Sequence, residues 1–170
     1  LDGPLNYQFG GIYFDDKLVS ISNSQNAGAT AFTSNSINTI ENTSWAVFGQ
    51  MTFDLSDQMT LTGGLRYSDD EKDADPIDLT GAIATVPISL EDEFLSFDIS
   101  LSYDWSDSTQ AYVRAASGFR APSIQDRIQD DTEVTTAGSE EIISYEVGIK
   151  GEAERFRYSL AVFSYKVDDM

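Results

Sequence analysis

LSFDISLSYDW, residues 95–105, places Leu95, Phe97, Ile99, Leu101, Tyr103 and Trp105 on one side of an extended chain. Ser96, Asp98, Ser100, Ser102 and Asp104 fall on the other. Successive side chains of a strand point to opposite faces, so each of these residues obeys a period of two; a helical period would scatter them. The pattern recurs along the chain. Met59, Leu61, Gly63, Leu65 and Tyr67 oppose Thr60, Thr62, Gly64 and Arg66. Trp45, Val47, Gly49, Met51, Phe53 and Leu55 oppose Ala46, Phe48, Gln50, Thr52 and Asp54. Ile143, Tyr145, Val147 and Ile149 oppose Ser144, Glu146, Gly148 and Lys150. An all-β, antiparallel chain follows.

Composition narrows the class. The chain carries 29 acidic and 10 basic residues, a net charge of −19, which repels nucleic-acid phosphates. Hydrophobic residues make up 41%, too many for a disordered acidic tail. Without Cys or His, a disulfide framework and the Ser-His and Cys-His nucleophile arrangements are excluded, and no enzyme is expected. No run reaches the ~18 apolar residues of a transmembrane helix, which leaves a β-span open.

The expected strands are 4–15, 43–55, 58–69, 93–105, 108–118, 140–151 and 155–168, several as long as the ~9–11 residues a membrane-crossing strand needs. Their connections alternate. Tight turns rich in Ser and Asp fall at 55–58 and 105–108, with another at 151–154. Longer polar segments fall at Ser20–Thr43, Asp69–Asp92 and Phe119–Ser139. A membrane barrel turns tightly on its periplasmic side and loops widely outside. Trp105, Tyr103 and Phe53 lie beside the tight turns, and Trp45, Tyr67 and Tyr13 near the long loops, as two interfacial girdles would. An up-and-down meander of about seven long strands is expected. Bacterial single-chain barrels close with an even number. Both ends, Leu1 without an initiator Met and Met170 inside a strand-like run, also read as cut, so the chain reads as part of a larger barrel.

Several stretches resemble TonB-dependent outer-membrane receptors. Thr62-Gly63-Gly64-Leu65-Arg66-Tyr67-Ser68, with Asp70 and Lys72, resembles their GGLRY-S-x-D-x-K strand. Ala111 through Gly118-Phe119-Arg120-Ala121-Pro122-Ser123 is similar to their YASYATGFRAPS segment. Glu141 through Ser144-Tyr145-Glu146-Val147-Gly148-Ile149-Lys150-Gly151 resembles their SYEVGLKG strand, and Ala161-Val162-Phe163 through Asp168-Asp169 their AVFYYDYDD strand. Gly10-Gly11-Ile12-Tyr13-Phe14 is a weaker match to a GLYYF strand. The resemblance implies a 22-stranded transmembrane barrel, of which 1–170 is a partial domain lacking the plug, the signal peptide and the remaining strands. It implies uptake of a scarce nutrient, most often a ferric siderophore, powered by TonB acting on the missing N-terminal part. Implied partners are outer-membrane lipid, lipopolysaccharide and an extracellular small molecule. A passive porin-like barrel and a soluble all-β carbohydrate-binding module are the alternatives.

Site candidates fall into two groups. Arg66, Asp98, Arg114, Glu146 and Lys150 share the polar side of their strands; they line the lumen of a barrel or face bulk water in a soluble sandwich. Arg120, Gln125 and Arg127, at the start of the third long segment, are the ligand-facing candidates, since an arginine can grip a carboxylate or phosphate with two bonds. Their structural alternative is pairing with neighbouring carboxylates. The acidic run Asp69–Asp78 reads as a solvated loop, with a lipopolysaccharide-bridging divalent cation as the alternative. It lacks the Gly and Glu of an EF-hand, and no resident metal or cofactor is expected.

Overall fold

The computed structural model describes residues 4–24, 34–81, 85–124 and 135–169. Among the described residues nine strands follow one another: β1 (Leu5–Ser24), β2 (Ser34–Ser56), β3 (Met59–Asp78), β4 (Ile88–Ser106), β5 (Thr109–Arg120), β6 (Ser123–Ile124), β7 (Thr136–Ala137), β8 (Glu140–Ala153) and β9 (Phe156–Asp169). Seven of them form one sheet in the order β1-β2-β3-β4-β5-β8-β9, every neighbour antiparallel. This is the expected meander. The short pair β6–β7 stands apart from it, inside the third long segment.

The tight turns fix the register. β2 reaches β3 through Asp57-Gln58, and β4 reaches β5 through Asp107-Ser108. The two are built alike. Ser56 Oγ accepts from the Gln58 amide (3.3 Å) and Ser106 Oγ from the Ser108 amide (3.4 Å). Thr60 Oγ1 donates to Asp54 (3.0 Å), as Gln110 Nε2 donates to Asp104 (2.8 Å). In each, the ladder skips one residue, Leu55 or Trp105, which forms a bulge.

Two expectations about the other rim are corrected. The segments Ser20–Thr43 and Asp69–Asp92 are mostly strand: β1 runs to Ser24, β2 starts at Ser34, β3 runs to Asp78 and β4 starts at Ile88. The acidic run Asp69–Asp78 is therefore strand, not loop. Register set lower down carries on past the end of the apolar stripe, each rung adding backbone bonds. Apolar residues there fall on both faces: Ile40 and Ala74 are buried on the polar side, and Val19, Ile21 and Ile77 are exposed on the other, so the strict alternation of the band is lost. Lys17 and Glu41 pair across β1–β2 at 2.6 Å, and Pro76 sits beyond the last β3–β4 rung, Ala74↔Ile88. Three successive rungs there oppose like charges: Asp69↔Glu93, Asp70↔Asp92 and Glu71↔Glu91.

The two faces differ sharply. Phe9, Met51, Leu65, Leu95, Ile99, Val113 and Val147 share one face, and all are exposed. The sheet residues that are buried, among them Ser36, Asn38, Ile40, Ala46, Ser68 and Ala74, lie on the other. Side chains converge on the inside of a curved sheet and splay outside it, so the polar face is concave and the apolar face convex. In β4 the apolar stripe spans Leu95 to Trp105. That is about 33 Å of strand, or about 25 Å of height once barrel tilt is allowed for, the span of a bilayer-facing band. The Trp45 and Tyr67 rings meet at 5.4 Å at its upper edge. No second layer covers this face among the described residues. A soluble module would need one to bury so broad an apolar surface.

A charge placed mid-band tests this assignment. Ile99→Arg should cost the full-length protein about 2–4 kcal/mol of stability in lipid vesicles, measured by denaturant unfolding, while Ser100→Asn on the opposite face should cost little.

Candidate functional site

The concave face carries the chemistry. Register places Arg66 opposite Ser96, Asp98 opposite Ala116, Arg114 opposite both Ser100 and Glu146, and Lys150 opposite Gln110. All five polar candidates thus lie on the face away from the apolar band. Four come together. Arg114 Nε donates to both Asp98 carboxylate oxygens, at 3.1 and 3.0 Å, and a terminal amino group makes a further, short bond to Asp98. Glu146 sits across from Arg114 on β8 and accepts from the Tyr112 hydroxyl. Lys150 Nζ stands 5.9 Å from the Tyr112 ring centroid, within cation–π range. The result is a charge network running down the wall over β4, β5 and β8. Arg66 stands apart on β3, its Nε donating to Ser68 Oγ at 2.9 Å.

Glycine makes room for this network. A Cβ on Gly148 would lie 2.6 Å from Tyr112 Cζ, so the ring lies flat across β8 only because no side chain is there. Gly10 does the same for Phe48, whose Cζ would be 2.7 Å from an added Cβ. Aromatic rings laid over neighbouring glycines cover bare backbone without projecting far from the wall.

Arg120, at the outer end of β5, pairs with Glu140 directly across on β8 at 3.0 Å. Its guanidinium therefore has the structural partner weighed against a ligand. Gln125 and Arg127 lie outside the described residues. The start of the third segment is tied to the wall: Lys72 Nζ donates to the Pro122 carbonyl at 2.7 Å, Pro122 is buried, and Phe94 stacks on Phe119 at 4.7 Å.

A second group of concave residues escaped the sequence reading. Phe14, Asp16, Asn42, Asp70 and Lys72 line a recess near the outer rim together with Arg66. They lay in or beside segments read as loop, so their shared parity with Arg66 carried no weight. β9 was also opaque. Its register sets Phe163 opposite Glu146, and its two faces are both apolar, Leu160 and Val162 on one and Phe163 and Tyr165 on the other. Among the described residues no group of three or more Asp, Glu, His or Cys side chains could hold a metal ion.

A single-layer antiparallel wall with an apolar convex face and a charged concave one is a section of a β-barrel. The family model described as TonB dependent receptor-like, beta-barrel matches residues 1–170, and the chain belongs to that family. Its fold is similar to that of the ferric yersiniabactin uptake receptor FyuA from Yersinia pestis. The TM-score is 0.77 at 20% identity, over 98% of this chain and 26% of that one. It is also similar to the alcaligin outer membrane receptor FauA from Bordetella pertussis, with a TM-score of 0.61 at 16% identity, over 98% of this chain and 31% of that one. The chain thus spans about a quarter to a third of the length of these proteins. No curated protein matches it.

The Gly148–Tyr112 packing has a direct test. Gly148→Ala should destabilise the full-length protein by about 1 kcal/mol through displacement of the ring. In a Tyr112→Ala background the cost should vanish, giving a coupling energy of similar size in a double-mutant cycle.

Proposed function

We propose that residues 1–170 form part of the barrel wall of an outer-membrane receptor that takes up a scarce nutrient, a ferric siderophore being the best-supported class. The family match along the whole chain carries this reading, and the similar structures, a ferric yersiniabactin uptake receptor and an alcaligin outer membrane receptor, support it. The convex band faces lipid, with the girdle residues Trp45 and Tyr67 at the outer boundary. The concave network Asp98–Arg114–Glu146–Lys150 faces the lumen, where a charged wall keeps water and polar ligands in contact with the protein. The outer extensions of β1–β4 and the start of the third segment, with Arg120, border the mouth through which a ligand enters.

The import mechanism divides between parts of the receptor. The wall and its outer extensions admit the ligand from outside. A plug domain, together with the segment that contacts TonB, lies elsewhere in the full receptor and supplies the gated movement. A passive porin would need an open lumen and no plug, and the family match favours the receptor.

Deleting the gene should abolish growth on at least one ferric chelate under iron limitation, and a plasmid copy should restore it only where TonB is intact. Wild-type growth of the deletion strain across a broad panel of ferric chelates would count against iron uptake. Restoration without TonB would favour a passive channel.

A further inference from the structure

The ladder between β4 and β5 stops short of its neighbours. Its last rung is Asp98↔Ala116, whereas β3–β4 continues to Ala74↔Ile88 and β5–β8 to Arg120↔Glu140. Above that rung the wall parts into two leaves. One is the outer part of β1–β4; the other is the outer part of β5, β8 and β9, which carries the third segment. The Asp104 amide donates to the Gln58 carbonyl just before β3. Even-numbered residues of β4 therefore turn their backbone groups toward β3, and odd-numbered ones toward β5. Phe97, Leu95 and Glu93 thus present theirs to the seam. Leu95 pairs with Tyr67 at the upper edge of the apolar band, so the seam starts just below that edge and opens upward. Most of it is in water, where a bare edge costs little; at mid-band the same gap would strand backbone groups in hydrocarbon.

Side chains join the leaves where rungs do not. At the base of the seam the Phe97 amide donates to Ser117 Oγ at 3.0 Å, where a continuing ladder would use the Ser117 carbonyl. Higher up, Phe94 stacks on Phe119, with centroids 4.7 Å apart and planes at 20°. Lys72 Nζ reaches from β3, past β4, to the Pro122 carbonyl at 2.7 Å. Pro122 is buried, and β6 lies against β3. Among the described residues these are the polar and aromatic contacts across the seam. The closed form also carries a cost beside them. Asp92 faces Asp70 across a β3–β4 rung, and its Oδ2 is buried with no hydrogen-bond partner among the described residues. A buried carboxylate oxygen without a partner favours a rearrangement that returns it to water. Asp98, in the last rung, is gripped by Arg114 on β5, which braces the ladder below.

We infer that this seam is a gate in the wall of the mouth. When the Lys72–Pro122 bond and the Phe94–Phe119 stack let go, the two leaves swing apart about the Asp98↔Ala116 rung and the entrance widens. The rungs below that point keep the membrane-spanning wall shut. Each leaf moves as a unit, because its own ladders run on above the hinge. The purpose of the gate, admitting a ligand, rests on the receptor reading above; its movement does not.

Spin labels on introduced cysteines read the movement as a distance, by pulsed electron paramagnetic resonance on the full-length protein in lipid nanodiscs. Glu91→Cys with Asp168→Cys spans the seam from β4 to β9; both positions are exposed. Glu91→Cys with Asp15→Cys stays within the first leaf, along the line Asp15–Thr43–Glu71–Glu91 from β1 to β4. Adding Lys72→Met and Phe119→Ala should lengthen the distance across the seam by about 5 Å, one interstrand spacing. Lys72→Arg, which keeps a donor for the Pro122 carbonyl, should leave it at the wild-type value. The distance within the leaf should not change in any variant. If the double variant fails to fold, Lys72→Met alone carries the test, with a shift in the same direction. A distance across the seam that stays at the wild-type value, or an equal lengthening within the leaf, would overturn the gate. Growth on a ferric chelate with an unmoving seam keeps the uptake reading and loses the gate. A moving seam in a protein whose deletion leaves iron-limited growth intact does the reverse.

Discussion

Hydrocarbon offers a backbone no hydrogen-bond partners, and that constraint governs this wall. Each unsatisfied N–H or C=O in lipid costs several kcal/mol, so a strand that crosses must be bonded to a strand on either side. The ladders from β1 to β9 meet that demand over most of each interior strand; between β4 and β5 the last rung is Asp98↔Ala116, and beyond it the Phe97 amide donates to Ser117 Oγ instead. Once the backbone is satisfied by neighbours, side chains are released from holding the sheet together. That is why a sheet of seven strands can stand with almost no buried apolar side chains: Ile40, Ala46 and Ala74 are the buried hydrophobic residues among those described. Lipid takes over the part that a second protein layer plays in a soluble sandwich.

From this follows the division of labour between the faces. The convex side can be uniformly apolar because it has only solvent-like contacts to make. The concave side must stay wet and keep its charges in balance, and it does so by crossing strands: Asp98 on β4, Arg114 on β5, Glu146 on β8. Such pairs are half exposed and worth little to stability singly. What they provide is a fixed array of charge and a smooth inner surface, the latter helped by Tyr112 and Phe48 lying over Gly148 and Gly10.

The part of the fold legible in the sequence is the part lipid touches. Leu95 to Trp105 alternates without exception because one side meets hydrocarbon and the other meets water. Above Trp45 and Tyr67 both sides are wet, the contrast fades, and the chain reads as loop although β1 through β4 continue there. Residue parity was enough to put Arg66, Asp98, Arg114, Glu146 and Lys150 on one face. Pairing them required the register, which the bulges at Leu55 and Trp105 set and which composition does not reveal. The same blindness hid Asp16, Asn42 and Lys72, whose meaning depends on which rung they occupy. β9 was legible as a strand but not in orientation: with Phe163 and Tyr165 on one face and Leu160 and Val162 on the other, it has no polar side to give its orientation away.

The two matching turns, with Asp54 tied to Thr60 and Asp104 to Gln110, make β2–β3 and β4–β5 near-copies of one unit at the lower rim. A unit that carries its own register and joins its neighbours chiefly by backbone bonds can be duplicated whole. Copying it widens the barrel by two strands and preserves the inside–outside parity of everything downstream. Its upper ends are then free to diverge in length and charge, so a lineage can remodel what its mouth recognises without disturbing what lies in the membrane.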